Sequence, residues 1–177
     1  MSRRVIRYSL DPQSIDKAIM ELQDYKEWLI EKTKELLNEL AREGCSIASA
    51  KFQEAVYDGT NDVKVHWEDR GEHATAIIAI GASVLFIEFG TGVRYPDNHP
   101  EAHENGMIRG EYGHGLGKMK RGWRYKGEPG TNGALIVNGK HEGMILTHGN
   151  PSNMCLYQTG RDLREKVEEI ARRVYEI

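Results

Sequence analysis

The chain has 177 residues, of which 39% are hydrophobic and 29% charged, and a formal net charge of −3. That length suits one domain with a core and is short for two, and the modest apolar share fits a body with protruding segments or a subunit that buries more surface in an assembly. A net charge this small identifies no partner, and no run approaches the roughly 18 apolar residues of a membrane span.

In chain order, Met1 to Arg7 lacks the apolar centre of a signal peptide, so a soluble protein made in a cytoplasm is expected. Ser14 to Arg42 reads as one long helix, with Asp11-Pro12 as its start, Ser14 as candidate cap and Gly44 as its stop. Ile15, Ile19, Leu22, Trp28 or Leu29, Leu36 and Leu40 trace its apolar stripe. Lys17, Asp24, Glu31, Lys34 and Glu35 lie opposite, on a solvated face. A helix approaching roughly 40 Å is long for this chain, so part of it is expected to lie against a neighbouring subunit. Three strand-like runs follow, Ala48 to Tyr57, Asp62 to Glu68 and His73 to Ile80, with turn signals at Asp58-Gly59 and Arg70-Gly71. In the second run Val63, Val65 and Trp67 share one face. These runs predict an antiparallel meander with one face on the long helix. Ser83 to Phe89 fits either a buried strand or two helical turns.

Residues 90–143 are glycine-rich and without sustained periodicity, as expected of a long central arm. Ala134 to Val137 and Met144 to Thr147 are expected to pair as a short ribbon. A closing helix is predicted from about Asn153 to Glu176, after the start signal Asn150-Pro151-Ser152, with Leu163, Val167, Ile170 and Val174 as its stripe. Gly160 inside it predicts a bend or a close helix crossing. The expected fold is therefore α+β, with long N- and C-terminal helices packed on a small antiparallel sheet and an extended arm, all in one domain over residues 1–177.

Candidate chemistry is sparse. His99, His103, His114, His141 and His148 lie in or near the arm, and His99 and His103 are four apart, yet Pro100 interrupts them and the order is not His-Glu-x-x-His. Solvated loop histidines are expected; a metal-dependent hydrolase or nuclease built on them is the enzymatic alternative. Gly113 to Lys118 fails the phosphate-loop spacing, because Tyr112 and Met119 stand where glycine and Ser or Thr are required. Cys45 and Cys155 match neither a metal motif nor a disulfide framework, which predicts reduced, partly buried thiols. Cys155 near a helix start is the position where a thiol pKa would fall. Lys118, Lys120, Arg121, Arg124 and Lys126, with Trp123 and Tyr125 interleaved and no acid, form the strongest charge signal. This segment suits non-specific contact with DNA phosphates or docking on an acidic protein ring. A stand-alone nucleic-acid-binding protein is thus a further alternative. No cofactor and no enzymatic activity are expected.

Around Phe86-Ile87-Glu88-Phe89-Gly90-Thr91-Gly92 the chain resembles the head-to-tail joining and tail-completion proteins of long-tailed bacteriophages and related prophages. The likeness extends to the order of elements from about Ser14 onward and to the closing Thr147-His148-Gly149-Asn150-Pro151 and Arg161-Asp162-Leu163-Arg164. Where many relatives carry Val-Asp-Thr-Gly after the first helix, this chain has Ser46-Ile47-Ala48-Ser49. The resemblance implies a non-enzymatic virion protein of the neck, assembled in the bacterial cytoplasm. It would form a ring, commonly six-fold, against neighbouring neck and tail-terminator proteins and around phage DNA. Within the motif, Glu88 is a candidate partner for a neighbouring subunit's arginine. Phe89 is expected to pack sheet against helices, Gly90 and Gly92 to make an unusual turn, and Thr91 to satisfy backbone groups in it.

Overall fold

The computed structural model describes residues 6–91, 99–106, 122–130 and 133–175. Their order is α1 (Pro12–Gln53), β1 (Lys64–Asp69), β2 (Thr75–Ile80), α2 (Val84–Phe89), β3 (Trp123–Tyr125), β4 (Ala134–Leu135), β5 (Ile145–Thr147) and α3 (Cys155–Val174). The architecture is α+β, as the periodicities predict, with long first and last helices and small antiparallel sheets.

Two boundaries of α1 differ from expectation. Asp11, not Ser14, is the N-cap: its Oδ1 accepts the Ser14 amide at 2.9 Å, and Pro12 opens the helix where its missing N–H is harmless. At the other end the helix runs through Gly44 to Gln53, so Ala48 to Gln53 is helix and not strand. Gly44 is buried because α1 meets two elements there. A Cβ at this position would run into Ile77 Cδ1 and come within 2.8 Å of Leu163 Cδ1. Glycine here permits close approach instead of ending the helix. The close crossing expected at Gly160 is absent, since a Cβ there would meet nothing within 4 Å. With 42 residues, α1 is about 63 Å long.

The expected three-stranded meander is a two-stranded hairpin. β1 and β2 pair antiparallel with Lys64 opposite Ile80 and Asp69 opposite Thr75. The face read from the sequence holds only in part: Val63, Val65 and Ala79 pack on the core of Phe52, Val84, Ile87 and Cys155, whereas Trp67, opposite Ile77, stays 41% exposed and His66 is half-buried. The ambiguous run resolves as the short helix α2, which buries Val84, Ile87 and Glu88 on one side at helical spacing. The predicted ribbon exists, with Leu135 opposite Ile145, and β3 joins it to give the order β3-β5-β4. β3 was not among the predicted strands.

α3 packs antiparallel along the inner part of α1. Lys51 lies 3.1 Å from Asp162, Lys166 pairs with Glu43, and Tyr175 reaches the Thr33 hydroxyl at 3.1 Å and the Trp28 ring at 5.9 Å. Ahead of these contacts, every residue from 12 to 27 is exposed except the half-buried Ser14 and Ala18.

Candidate functional site

The motif Glu88-Phe89-Gly90-Thr91 sits where α2 ends, and its polar groups are turned inward. Glu88 is only 5% exposed. Its Oε2 accepts the Leu156 amide at 2.8 Å and its Oε1 the Tyr157 amide at 3.0 Å. These belong to the first turn of α3, whose N–H groups have no partner within the helix. The residue before α3, Met154, takes φ 53° and supplies no side-chain cap. A carboxylate from another helix therefore caps α3 at the end where its dipole favours negative charge. The expected arginine of a neighbouring subunit has no place in this arrangement: both Glu88 oxygens are engaged inside the fold.

His99 completes the pocket and is not a solvated loop histidine. Its ring is buried, 3.3 Å through Nε2 from Glu88 Oε1, with centroids 4.4 Å from Phe89 and 5.5 Å from Tyr157. The Glu101 amide donates to Nδ1 at 3.1 Å. Nδ1 is thus the acceptor, and the proton of the neutral ring sits on Nε2, directed at Glu88. Pro100 and His103 are exposed, His141 is half-buried, His148 is exposed, and His114 lies outside the described residues. Among the described residues no three His, Cys, Asp or Glu side chains converge as a metal site.

The two sequence phrases behind the family resemblance grip each other. Gly90 adopts φ 78°, and a Cβ there would lie 2.6 Å from the Ser152 nitrogen and 2.9 Å from the Asn150 carbonyl oxygen. Thr91 donates its amide to the Asn150 carbonyl at 2.9 Å and its hydroxyl to Asn150 Oδ1 at 3.0 Å. Asn150 Nδ2 donates to the Phe86 carbonyl at 2.8 Å, the Asn153 amide to Ile87 at 3.0 Å, and the Ser152 hydroxyl to Glu88 at 2.8 Å. The last carbonyls of α2, which a helix end leaves without partners, are satisfied from the segment leading into α3. Asn153 extends the clasp to the end of α1, accepting the Val56 amide at 2.8 Å. At the start of α2, Asp62 accepts the Ala82 and Ser83 amides at 2.8 and 3.0 Å and the Ser83 hydroxyl at 2.5 Å. The Ser83 hydroxyl bond is the largest influence holding the Asp62 carboxyl down at about 2, followed by the two amides. Residues 150–153 were legible in the sequence as a helix start and, at Asn150-Pro151, as part of the resemblance; the side-chain amides of Asn150 and Asn153 were the unread signal.

Cys155 opens α3, but its thiol is pushed up to about 12, first by burial and then by the Glu88 charge. The thiolate-favouring dipole expected at this position is already opposed by the Glu88 carboxylate. Cys45 is half-buried inside α1, and burial raises its pKa as well.

The basic segment is partly described. Gly92, Lys118, Lys120 and Arg121 lie outside the described residues. Trp123, Tyr125 and Lys126 line a cleft of about 250 Å³ with Tyr57, Asp58 and Phe86, whereas Arg124 points to solvent from the opposite side of β3. The Thr147 hydroxyl donates to Asp58, which ties the small sheet to the segment after α1. Burial raises both the Tyr57 and Tyr125 phenols; Asp62 and then Asp58 add to the first, and Asp58 leads the charges on the second. No protein-family model, curated protein or solved structure matches this chain.

Proposed function

We propose that the protein is a structural subunit of a bacteriophage neck, one copy of a ring that completes the tail and joins it to the DNA-filled head. The family resemblance motivates the phage assignment. The observation that carries the subunit reading is the outer part of α1, where Ile15, Ile19, Leu22 and Leu29 remain exposed along a helix that extends well beyond its partner α3. An apolar stripe of this kind marks a surface that another protein covers. The motif residues build the scaffold, and the contacts with other molecules come from α1 and the basic segment. In this reading Arg124 and Lys126, with Lys118, Lys120 and Arg121 before them in the sequence, face channel DNA or the adjacent ring.

Electron microscopy of lysates from the parent phage with this gene disrupted tests the reading. DNA-filled heads beside separate full-length tails are expected; normal infectious particles would overturn it. Neutralising all five basic residues is expected to impair joining or DNA retention, and unchanged assembly would remove their assigned role.

A further inference from the structure

We propose that the open edge of β2 pairs antiparallel with β2 of a second copy of this chain, joining two hairpins into one four-stranded sheet. The contact is isologous, so it goes beyond the ring reading, which calls for a heterologous one.

The backbone of β2 is set out for such a pairing. The Arg70 amide donates to the Ala74 carbonyl at 2.8 Å, and Asp69 stands opposite Thr75. By the alternation of an antiparallel ladder, Ala76, Ile78 and Ile80 then turn their N–H and C=O groups toward β1. Thr75, Ile77 and Ala79 turn theirs to the other edge. Among the described residues nothing pairs with that edge, and the three residues are half-buried, not enclosed. A row of alternating donors and acceptors at strand spacing is met by another extended strand about 4.8 Å away.

The side chains say which strand. On the face away from α1, β1 presents Lys64, His66 and Glu68, whereas β2 presents Ala76, Ile78 and Ile80, the last 51% exposed. Edges that must stay unpaired carry charge, proline or a bulge. β1 has Lys64, Glu68 and Asp69; β2, Thr75–Ile80, has no charge and no proline, and its register with β1 is unbroken. The edge left open to pairing is therefore that of β2. Of the other described strands, β3 and β4 are three and two residues long and β5 is paired on both sides. A second β2 is the strand in this chain that matches in length and in lack of charge.

Self-pairing also disposes of the apolar strip. With Ile78 on the two-fold axis, it meets its own counterpart, and Ala76 lies opposite the second copy's Ile80, small against large on either side of the axis. In the same register Ile77 and Ala79 exchange backbone bonds across the junction. The two apolar strands become the centre of the sheet and the two charged β1 strands its edges, the usual distribution in a stable sheet.

The test combines sedimentation equilibrium of the full-length protein with residue-resolved amide exchange. A dimer is expected, in which the Ile77 and Ala79 amides gain protection as concentration rises, while the Ile78 amide, bonded to β1, is protected throughout. Ile78→Lys and Ile78→Glu each set like charges on the axis. Each is expected to raise the dissociation constant on the order of tenfold, and an equimolar mixture of the two to recover association as a mixed dimer. Thermal melts report whether the body of each variant is intact. Three results overturn the proposal: a monomer at every concentration, a dimer whose Ile77 and Ala79 amides exchange freely, or charge variants whose mixture recovers nothing. None of them touches the neck assignment, which particle microscopy of the gene disruption decides separately.

Discussion

Glu88 joins three parts of the polar architecture, because one carboxylate serves two amides of α3 and the His99 ring. Replacing it with alanine leaves buried N–H groups without acceptors. Glu88→Ala is expected to destabilise the fold by about 3 kcal/mol, and Glu88→Gln by less, as measured by urea denaturation. Cys155 supplies a second test at this scale. With its thiol near 12 and buried, it is expected to resist alkylation at pH 8 in the native protein and to react on unfolding. Mass spectrometry of labelled peptides distinguishes it from Cys45. Asp62 governs an acid-dependent contribution. Its folded-state pKa of about 2 lies below its ordinary 3.8, so the stability it supplies is complete above about 4 and lost as pH falls toward 2. Melting curves of the wild type and Asp62→Asn are expected to differ at pH 6 and to converge across that interval.

At the scale of elements, two glycines in helices have opposite roles. Gly44 lies at the crossing of α1 with β2 and α3, and its low helix propensity is offset by that close approach. Gly44→Val is expected to destabilise by about 1–3 kcal/mol through overpacking against Ile77 and Leu163. Gly160→Ala meets open space and is expected to stabilise by up to about 1 kcal/mol. Chemical denaturation of the pair checks both signs. These positions also show what the sequence could reveal. The long helices and the β1–β2 hairpin were legible because their apolar periods are sustained, at 3.6 and 2 residues. The continuation of α1 past Gly44 was not, because a glycine at a packed crossing and a glycine at a helix end look alike without knowledge of what approaches. α2 was ambiguous because six residues are too few to establish a period, and its ends are fixed by Asp62 and by Asn150 to Met154, distant in sequence. The buried role of His99 was invisible for the same reason.

For the whole molecule, the body and the outer part of α1 are energetically separable. Substituting Ile19 and Leu22 with serine is expected to shift the stability of the body by under about 0.5 kcal/mol, since both side chains are already largely in water. Calorimetry of the double variant checks this. The clasp also governs how the chain reaches its native state. The bonds from Glu88 to Leu156, from Asn153 to Val56 and from Thr33 to Tyr175 span 68, 97 and 142 residues. Contacts so distant demand loop closure before they return any stabilisation, and they slow the search for the native state. A nascent chain that has emerged only as far as Phe89 already holds Glu88 and Thr33, which meet the two ends of α3, but neither α3 itself nor the groups that satisfy the last carbonyls of α2. During synthesis the core around Phe52 and Ile87 therefore lacks Cys155 and Leu156 until the segment beyond Thr147 arrives, and that interval is when the protein is most exposed to chaperones, proteases and misassociation.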